Sequence, residues 1–143
     1  MNSGSYKVDK EFSHVKVSNG LVAKSGASSA IAAAVSLSKA DSGGLFSVAK
    51  TSAYAITLPV PEQGLSFEFF VLDTGANAVT ISNGSAHLFG SVSVNNVSTA
   101  MTGTTITLTA SGSVGDNIKF QGVDSTHYLV SGSCIAAADI TVA

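Results

Sequence analysis

The tripeptide Asp73-Thr74-Gly75 is the first place in the sequence where residue types suggest chemistry. It follows the apolar segment "LSFEFFVL" and precedes the alternating segment "NAVTIS". An aspartic protease places an Asp in a sharp turn after a hydrophobic strand, paired with a second Asp with which it shares a proton. Asp-Thr-Gly is also an ordinary turn, because Asp accepts backbone hydrogen bonds and Gly adopts positive φ. We predict the turn.

The surrounding sequence favours the turn over catalysis. The segment "FFVLDTGANAVTI" is similar to the motif of retroviral-type proteases, in which one motif per chain suffices because the enzyme dimerises. That family has a second hydrophobic-hydrophobic-Gly segment further on, usually followed by Arg or Asn. Here the corresponding region is "HYLVSGSCIAAADI", where Ser131 interrupts the pattern and Arg is missing. The segment before Asp73 is also too long for a minimal protease, so we predict that the protein is not an enzyme.

The other chemically active side chains are isolated in the sequence. His14, His87 and His127 lack the short spacing of a metal site, and Cys134 has no second Cys with which to form a disulfide. Phosphate loops, dinucleotide fingerprints and nucleophile elbows are absent from the sequence. We therefore predict no cofactor and no metal, with Cys134 as a small buried thiol.

The composition limits the partners. Hydrophobic residues make up 45% and charged residues 11% of the 143 residues, and the net charge is −2. All seven basic residues are Lys, so the side chain that binds phosphates and guanine edges in a bidentate manner is missing, and we predict no nucleic-acid partner. Apolar segments are shorter than the roughly 18 residues of a membrane span. Because "MNSGSYKVDKEF" lacks the apolar core of a secretory signal, we expect synthesis in the cytoplasm and no membrane association.

The elements that carry these residues are predicted to be β-strands. Apolar and polar residues alternate in many segments, and strands are predicted to start near residues 45, 54, 65, 78, 88, 104, 117, 127 and 139. Turn residues lie between them, a spacing typical of a sandwich or barrel. The segment "SSAIAAAVSLSKA" is compatible with a short helix, but Val35 and Leu37 before a turn favour a strand. We predict an all-β, single-domain antiparallel β-sandwich or jelly-roll-like barrel over residues 35–143, with an extended N-terminal arm over residues 1–34.

Two parts of the sequence have apolar residues that the monomer does not obviously bury. Phe67 and Phe69 belong to one face of their strand, yet Phe70 and Leu72 make the opposite face apolar too. Such a strand is either central to a double layer or covered by a partner subunit. The arm either adds a strand to a neighbour's sheet edge or is a frayed terminus. If partners cover both parts, the interface residues are Tyr6, Val8, Phe12, Val15, Val17, Phe70 and Leu72.

The order of strand and turn motifs over about residues 35–133 resembles a pattern of small structural proteins of tailed bacteriophages. The matching motifs are Asp41-Ser42-Gly43, Thr57-Leu58-Pro59, Gly64 with Phe67 and Phe69, Gly103 to Leu108, Gly115-Asp116 with Ile118 and Phe120, and Tyr128-Val130-Gly132. Tyr128 departs from the pattern, which often has Trp at this position. These motifs recur in head decoration proteins, head fibres and tail fibres.

The resemblance implies a virion protein that functions without a cofactor. The short length favours a capsid decoration (cement) protein, which implies a homotrimer at local three-fold positions of the head, bound to the major capsid protein on the outer surface. The alternative is a tail-fibre or head-fibre receptor-binding module, including one that binds carbohydrate. A sugar site needs exposed aromatic rings beside Asp or Asn in loops, and His87, His127 and Tyr128 near Asp124 are the candidates.

Overall fold

The computed structural model describes residues 28–73 and 75–143. These residues form twelve strands and one 3-10 helix, Lys39–Asp41. The first six strands are β1 (Ser28–Ile31), β2 (Val35–Ser36), β3 (Gly44–Val48), β4 (Tyr54–Thr57), β5 (Ser66–Val71) and β6 (Val79–Ser82). The last six are β7 (His87–Val94), β8 (Val97–Ala100), β9 (Thr105–Leu108), β10 (Asn117–Gly122), β11 (His127–Cys134) and β12 (Ile140–Val142). Helices with the length and apolarity needed to cross a bilayer are absent from this described part of the chain.

The described strands form two mixed sheets. One has seven strands in the order β1-β3-β5-β10-β11-β7-β8, and the other has five in the order β12-β9-β6-β4-β2. The all-β prediction is confirmed, but the antiparallel prediction is wrong. Among the ten pairings of the described strands, five are parallel: β1 with β3, β2 with β4, β3 with β5, β4 with β6, and β7 with β11. A jelly-roll-like barrel pairs its strands antiparallel, so the pairing does not support that finer prediction.

Four of the five parallel pairs, all except β7 with β11, arise from the path of the chain. From β1 to β7, each successive strand belongs to the other sheet. Two strands of one sheet are therefore separated by a strand that returns through the other sheet, and they run in the same direction. Alternation of apolar and polar residues specifies which face of a strand is buried but not which strand is its neighbour.

The two sheets share one apolar core. Phe67 and Phe69 of the seven-stranded sheet and Ile56, Ile81 and Ile106 of the five-stranded sheet are all completely buried in it. The Phe69 ring stacks on Phe46 at 5.4 Å and lies edge-on to Phe120 at 5.9 Å. Two sheets that bury their inner faces against each other suggest a β-sandwich.

Part of the predicted arm belongs to the sheets. Residues 28–31 form β1 and pair in register with β3, and the strand predicted from Val35 is present as β2. The predicted arm residues Tyr6, Val8, Phe12, Val15 and Val17 lie outside the described residues.

Candidate functional site on the outer face of the seven-stranded sheet

The outer face of the seven-stranded sheet is the face that points away from the core. In β5, Phe67, Phe69 and Val71 are buried, whereas Glu68 and Phe70 are partly exposed. The same alternation continues in β10 and β11. Residues that alternate with the buried ones, as Phe70 does in β5, therefore form the outer face. Two groups of these residues lie at the two ends of the strands, one at each end.

The first end, which we call the apolar end, consists of Phe70, Leu72 and Ile135. Asn117 pairs with Phe70 on one side and with Ser133 on the other. Beyond this row the register is interrupted: Val71 donates to the Asp116 carbonyl and accepts from the Gly115 amide, so Gly115 and Asp116 form a β-bulge opposite Val71. A Cβ atom at Gly115 would lie 3.9 Å from Ile135 Cδ1, and the Gly115 amide donates to the Val71 carbonyl at 2.9 Å.

The apolar end is accessible in the monomer. Leu72 is 60% exposed, Ile135 is 59% exposed and Phe70 is half-buried. Gly115 has φ +101°, a conformation that disfavours a side chain, and its missing side chain leaves the space beside Ile135 open. The face that Phe70 and Leu72 occupy is thus the outer one, and their role in an interface stays a prediction. Ile135 was not predicted, although alternation with the buried Cys134 was its signal.

Buried charged side chains support the apolar end from beneath. Asp116 is completely buried, and its two carboxyl oxygens accept hydrogen bonds from the amides of Ile135 at 2.8 Å and Ser113 at 2.7 Å. Lys50 is also completely buried, and its Nζ donates to the Gly112 carbonyl at 2.8 Å. Asp139 is 1% exposed. This buried charged group fixes the loops that present Gly115 and Ile135.

The buried thiol beside this group is not a nucleophile. Cys134 is 3% exposed, as the sequence predicted for a small buried thiol. Burial, with the negative charges of Asp116 and Asp139, raises the pKa of Cys134 to about 12. A thiol that stays protonated at neutral pH packs as a small apolar residue.

The pH dependence of stability follows from the buried Asp116. Desolvation raises its pKa above the ordinary 3.8, aided by the charge of Asp139 and opposed by the amides of Ile135 and Ser113. The folded state then binds this proton more tightly than the unfolded state, so this contribution is greatest below pH 3.8 and is lost as pH rises towards the raised pKa. We expect wild type to gain stability relative to Asp116→Asn as pH falls through this window, measured by urea unfolding at each pH. A constant difference between the two proteins would contradict this.

Asp73 binds the backbone of the same region. Its Oδ1 accepts hydrogen bonds from the Lys50 amide at 2.9 Å and the Gly75 amide at 3.2 Å, and Asn77 Nδ2 donates to the Lys50 carbonyl at 3.0 Å. The Asp73 carboxylate thus closes the turn and ties it to the end of β3, which is the structural role that the sequence predicted.

Removal of the Asp73 carboxylate tests that role. We expect Asp73→Ala to lower the free energy of unfolding by about 1–3 kcal/mol, because the Lys50 amide loses its acceptor in a partly buried site. Asp73→Asn keeps one accepting oxygen and should lose less. Urea unfolding measures both, and an Asp73→Ala protein as stable as wild type would contradict the structural role.

The second end of the outer face, which we call the ring cluster, consists of His87, Phe89 and His127. His127 of β11 lies directly opposite His87 of β7 in the parallel register. Their ring centroids are 5.7 Å apart, and the Phe89 ring lies edge-on to His127 at 5.9 Å. The rings line an open pocket of about 490 Å³, together with Leu88, Thr102, Val123 and Asp124.

Glycine at position 90 permits the strand pairing that forms the ring cluster. A Cβ atom at Gly90 would lie 2.1 Å from the Val130 carbonyl oxygen, and its φ is +133°. A larger residue there would separate β7 from β11 and so separate the two histidines.

Asp124 fixes the orientation of His127. Its Oδ1 accepts hydrogen bonds from the amides of Thr126 at 2.7 Å and His127 at 2.8 Å, and its Oδ2 lies 2.9 Å from His127 Nδ1. The Thr126 amide, followed by the His127 side chain, lowers the pKa of Asp124 to about 2. The carboxylate is therefore ionised at neutral pH and accepts a hydrogen bond from Nδ1–H of His127, which selects the tautomer whose Nε2 carries the lone pair.

The structure brings together three of the residues considered for a sugar site, but not the fourth. His87, His127 and Asp124 line the pocket. Tyr128 is completely buried, its hydroxyl donates to the Pro59 carbonyl at 2.9 Å, and burial raises its pKa to about 12, so Tyr128 is unavailable to a ligand. Phe89, which is 40% exposed, supplies the aromatic ring instead and was missed in the sequence.

No family model matches the chain, and neither a curated protein nor a solved structure matches it. The function proposed for the chain therefore rests on the geometry of the outer face and on the sequence motifs.

Proposed function

We propose that the protein is a structural protein of a bacteriophage virion, namely a decoration or cement protein. In this proposal it is not an enzyme and needs no cofactor. It binds the outer surface of the head as a homotrimer at local three-fold positions, in contact with the major capsid protein. The observation that carries the proposal is the apolar end. Leu72 and Ile135 are well exposed there and contribute little to the core of the monomer, so their apolar side chains are available to a partner.

The apolar end has the chemistry of a protein contact. Ile135 lies beside Gly115, which offers backbone and an open space to an incoming side chain. The residues that pair across the sheet in the same row as Phe70 are the uncharged Asn117 and Ser133. Charged residues are depleted at the centres of protein interfaces, and the whole chain contains only 11% of them.

A trimer compensates for the small size of each contact. The apolar end is smaller than a standard interface, which buries roughly 800 Å² per partner. Three copies held together would bind the head through three linked contacts, so avidity exceeds the affinity of one contact. The arm residues Tyr6, Val8, Phe12, Val15 and Val17 would extend the contact to a neighbouring subunit.

Reconstitution with undecorated heads tests the proposal. Purified protein is mixed with heads that lack decoration, and uptake is measured by sedimentation together with the temperature at which the heads release their DNA. We expect saturable uptake at a fixed ratio and greater heat resistance. A protein that remains in the supernatant and leaves the heads unchanged would refute the cement role.

A fibre or receptor-binding module is the second candidate, and the pocket beside the ring cluster is the observation in its favour. The pocket combines apolar walls with an ionised carboxylate, as small-molecule sites do. Binding to host cells or to their surface glycans without uptake by heads would favour this function over the first.

A further inference from the structure

We propose that His87 and His127 form a binding site for a divalent transition metal ion of the Zn²⁺, Ni²⁺ and Cu²⁺ class. The ion would lie on the outer face of the seven-stranded sheet, between β7 and β11. This inference goes beyond the cement role and does not depend on it.

The spacing of the two rings suits a shared ion. A metal binds an imidazole nitrogen at about 2.0–2.1 Å, so each ring centre lies about 3.2 Å from the ion. Two rings on one ion at the tetrahedral angle then have centres about 5.2 Å apart. The observed separation of 5.7 Å is about 0.5 Å larger, which a small rotation of either side chain closes, and the rings are inclined by 36°. Rotation about one Cβ–Cγ bond presents either nitrogen of His87 without movement of the strands.

Asp124 prepares His127 as a ligand. Metal-binding histidines commonly donate their second ring N–H to a carboxylate, which fixes the tautomer and makes the ligating nitrogen more basic. His127 Nδ1 has this partner in Asp124, at 3.0 Å and 2.9 Å from the two carboxylate oxygens. The amides of Thr126 and His127 hold the same carboxylate in place. This arrangement exists in the folded protein before any ion arrives.

The chemistry of the lining selects the class of ion. Imidazole nitrogen favours Zn²⁺, Ni²⁺ and Cu²⁺, whereas Mg²⁺ and Ca²⁺ require oxygen ligands. The pocket lining contains the Asp124 carboxylate and lacks Lys, so it does not repel a cation. Within residues 28–73 and 75–143, no group of three His, Cys, Asp or Glu side chains is arranged to hold a metal ion, so the protein supplies two ligands here. The remaining coordination positions would therefore take water or donor atoms of a molecule bound in the pocket of about 490 Å³.

Metal titration of the full chain tests the proposal. Isothermal titration with NiCl₂ and ZnCl₂ at pH 7.5, and the Cu²⁺ electron paramagnetic resonance spectrum, are expected to show one ion bound by two imidazole nitrogens. His87→Ala and His127→Ala should each weaken binding at least tenfold, and Asp124→Asn should weaken it about 10–100-fold. MgCl₂ should give no binding. Affinity should fall as pH drops through about 6.5, because protons compete for the ligating nitrogens.

Matched variants separate this site from adventitious binding. His14→Ala removes the one other histidine of the chain and should leave the affinity unchanged. Circular dichroism of His87→Ala and His127→Ala checks that both variants fold. Equal affinity in wild type and the double variant His87→Ala/His127→Ala would overturn the proposal. A loss of binding in His14→Ala alone would overturn it as well.

Discussion

Asp116→Ala is expected to lower the free energy of unfolding by about 2–4 kcal/mol. Asp116 is completely buried, and its carboxyl group is the acceptor for the amides of Ser113 and Ile135. Removal leaves both donors without an acceptor in the protein interior, at roughly 1–3 kcal/mol each. The relief from desolvating a carboxyl group offsets part of this loss.

Two further variants make the measurement specific. Asp116→Asn retains one accepting oxygen and should lose less stability than Asp116→Ala. Glu62→Ala removes a carboxylate that binds Lys39 at 2.9 Å, but both side chains are more than half exposed. The expected loss for Glu62→Ala is below about 1 kcal/mol. Urea unfolding followed by circular dichroism gives all three values, and similar losses for Asp116→Ala and Glu62→Ala would contradict the role of the buried charged group.

The double variant Leu72→Glu/Ile135→Glu is expected to abolish self-association and uptake by heads. The two side chains are 60% and 59% exposed, so the substitutions should leave folding intact. In an interface, two carboxylates would lose their hydration at the apolar end without a partner. We therefore expect affinity to fall more than tenfold, which corresponds to more than about 1.4 kcal/mol. The desolvation of two unpaired carboxylates costs more than this.

Val60→Glu is the matched control for this variant. Val60 is 61% exposed and lies in the loop after β4, away from the apolar end. Sedimentation velocity and the uptake assay should find Val60→Glu indistinguishable from wild type, and the double variant monomeric and unbound. Association and uptake of the double variant at wild-type levels would show that the apolar end is not the contact surface.

Strand positions were predictable from sequence. The nine predicted starts lie within one residue of the starts of β3 to β7 and β9 to β12. Alternation reveals these strands because one face of each is buried in the shared core.

The strand β8 was not predicted, although the pair Asn95-Asn96 before it is a sequence signal for a hairpin turn. Asn95 and Asn96 both have positive φ, 50° and 64°, as the two-residue turn of a tight hairpin requires.

The pairing of the strands, and with it the ring cluster, was not predictable. His87 and His127 are distant in the sequence and meet because β7 and β11 pair in parallel at one register. Alternation carries no information about that partner or that register. Phe70 and Leu72 could be assigned to the outer face because face depends on local parity alone, whereas Ile135 joins them through pairing across β10.

The parallel pairing of β7 with β11 also constrains how the chain reaches its native state. In the described seven-stranded sheet, β7 and β8 connect to the other strands through β11. That contact closes a long loop, and such non-local steps are slow compared with hairpin formation. During synthesis, the β7–β8 hairpin must wait on the ribosome until Cys134 has emerged. Until then the hairpin exposes an unpaired strand edge, the kind of surface through which incompletely folded chains aggregate.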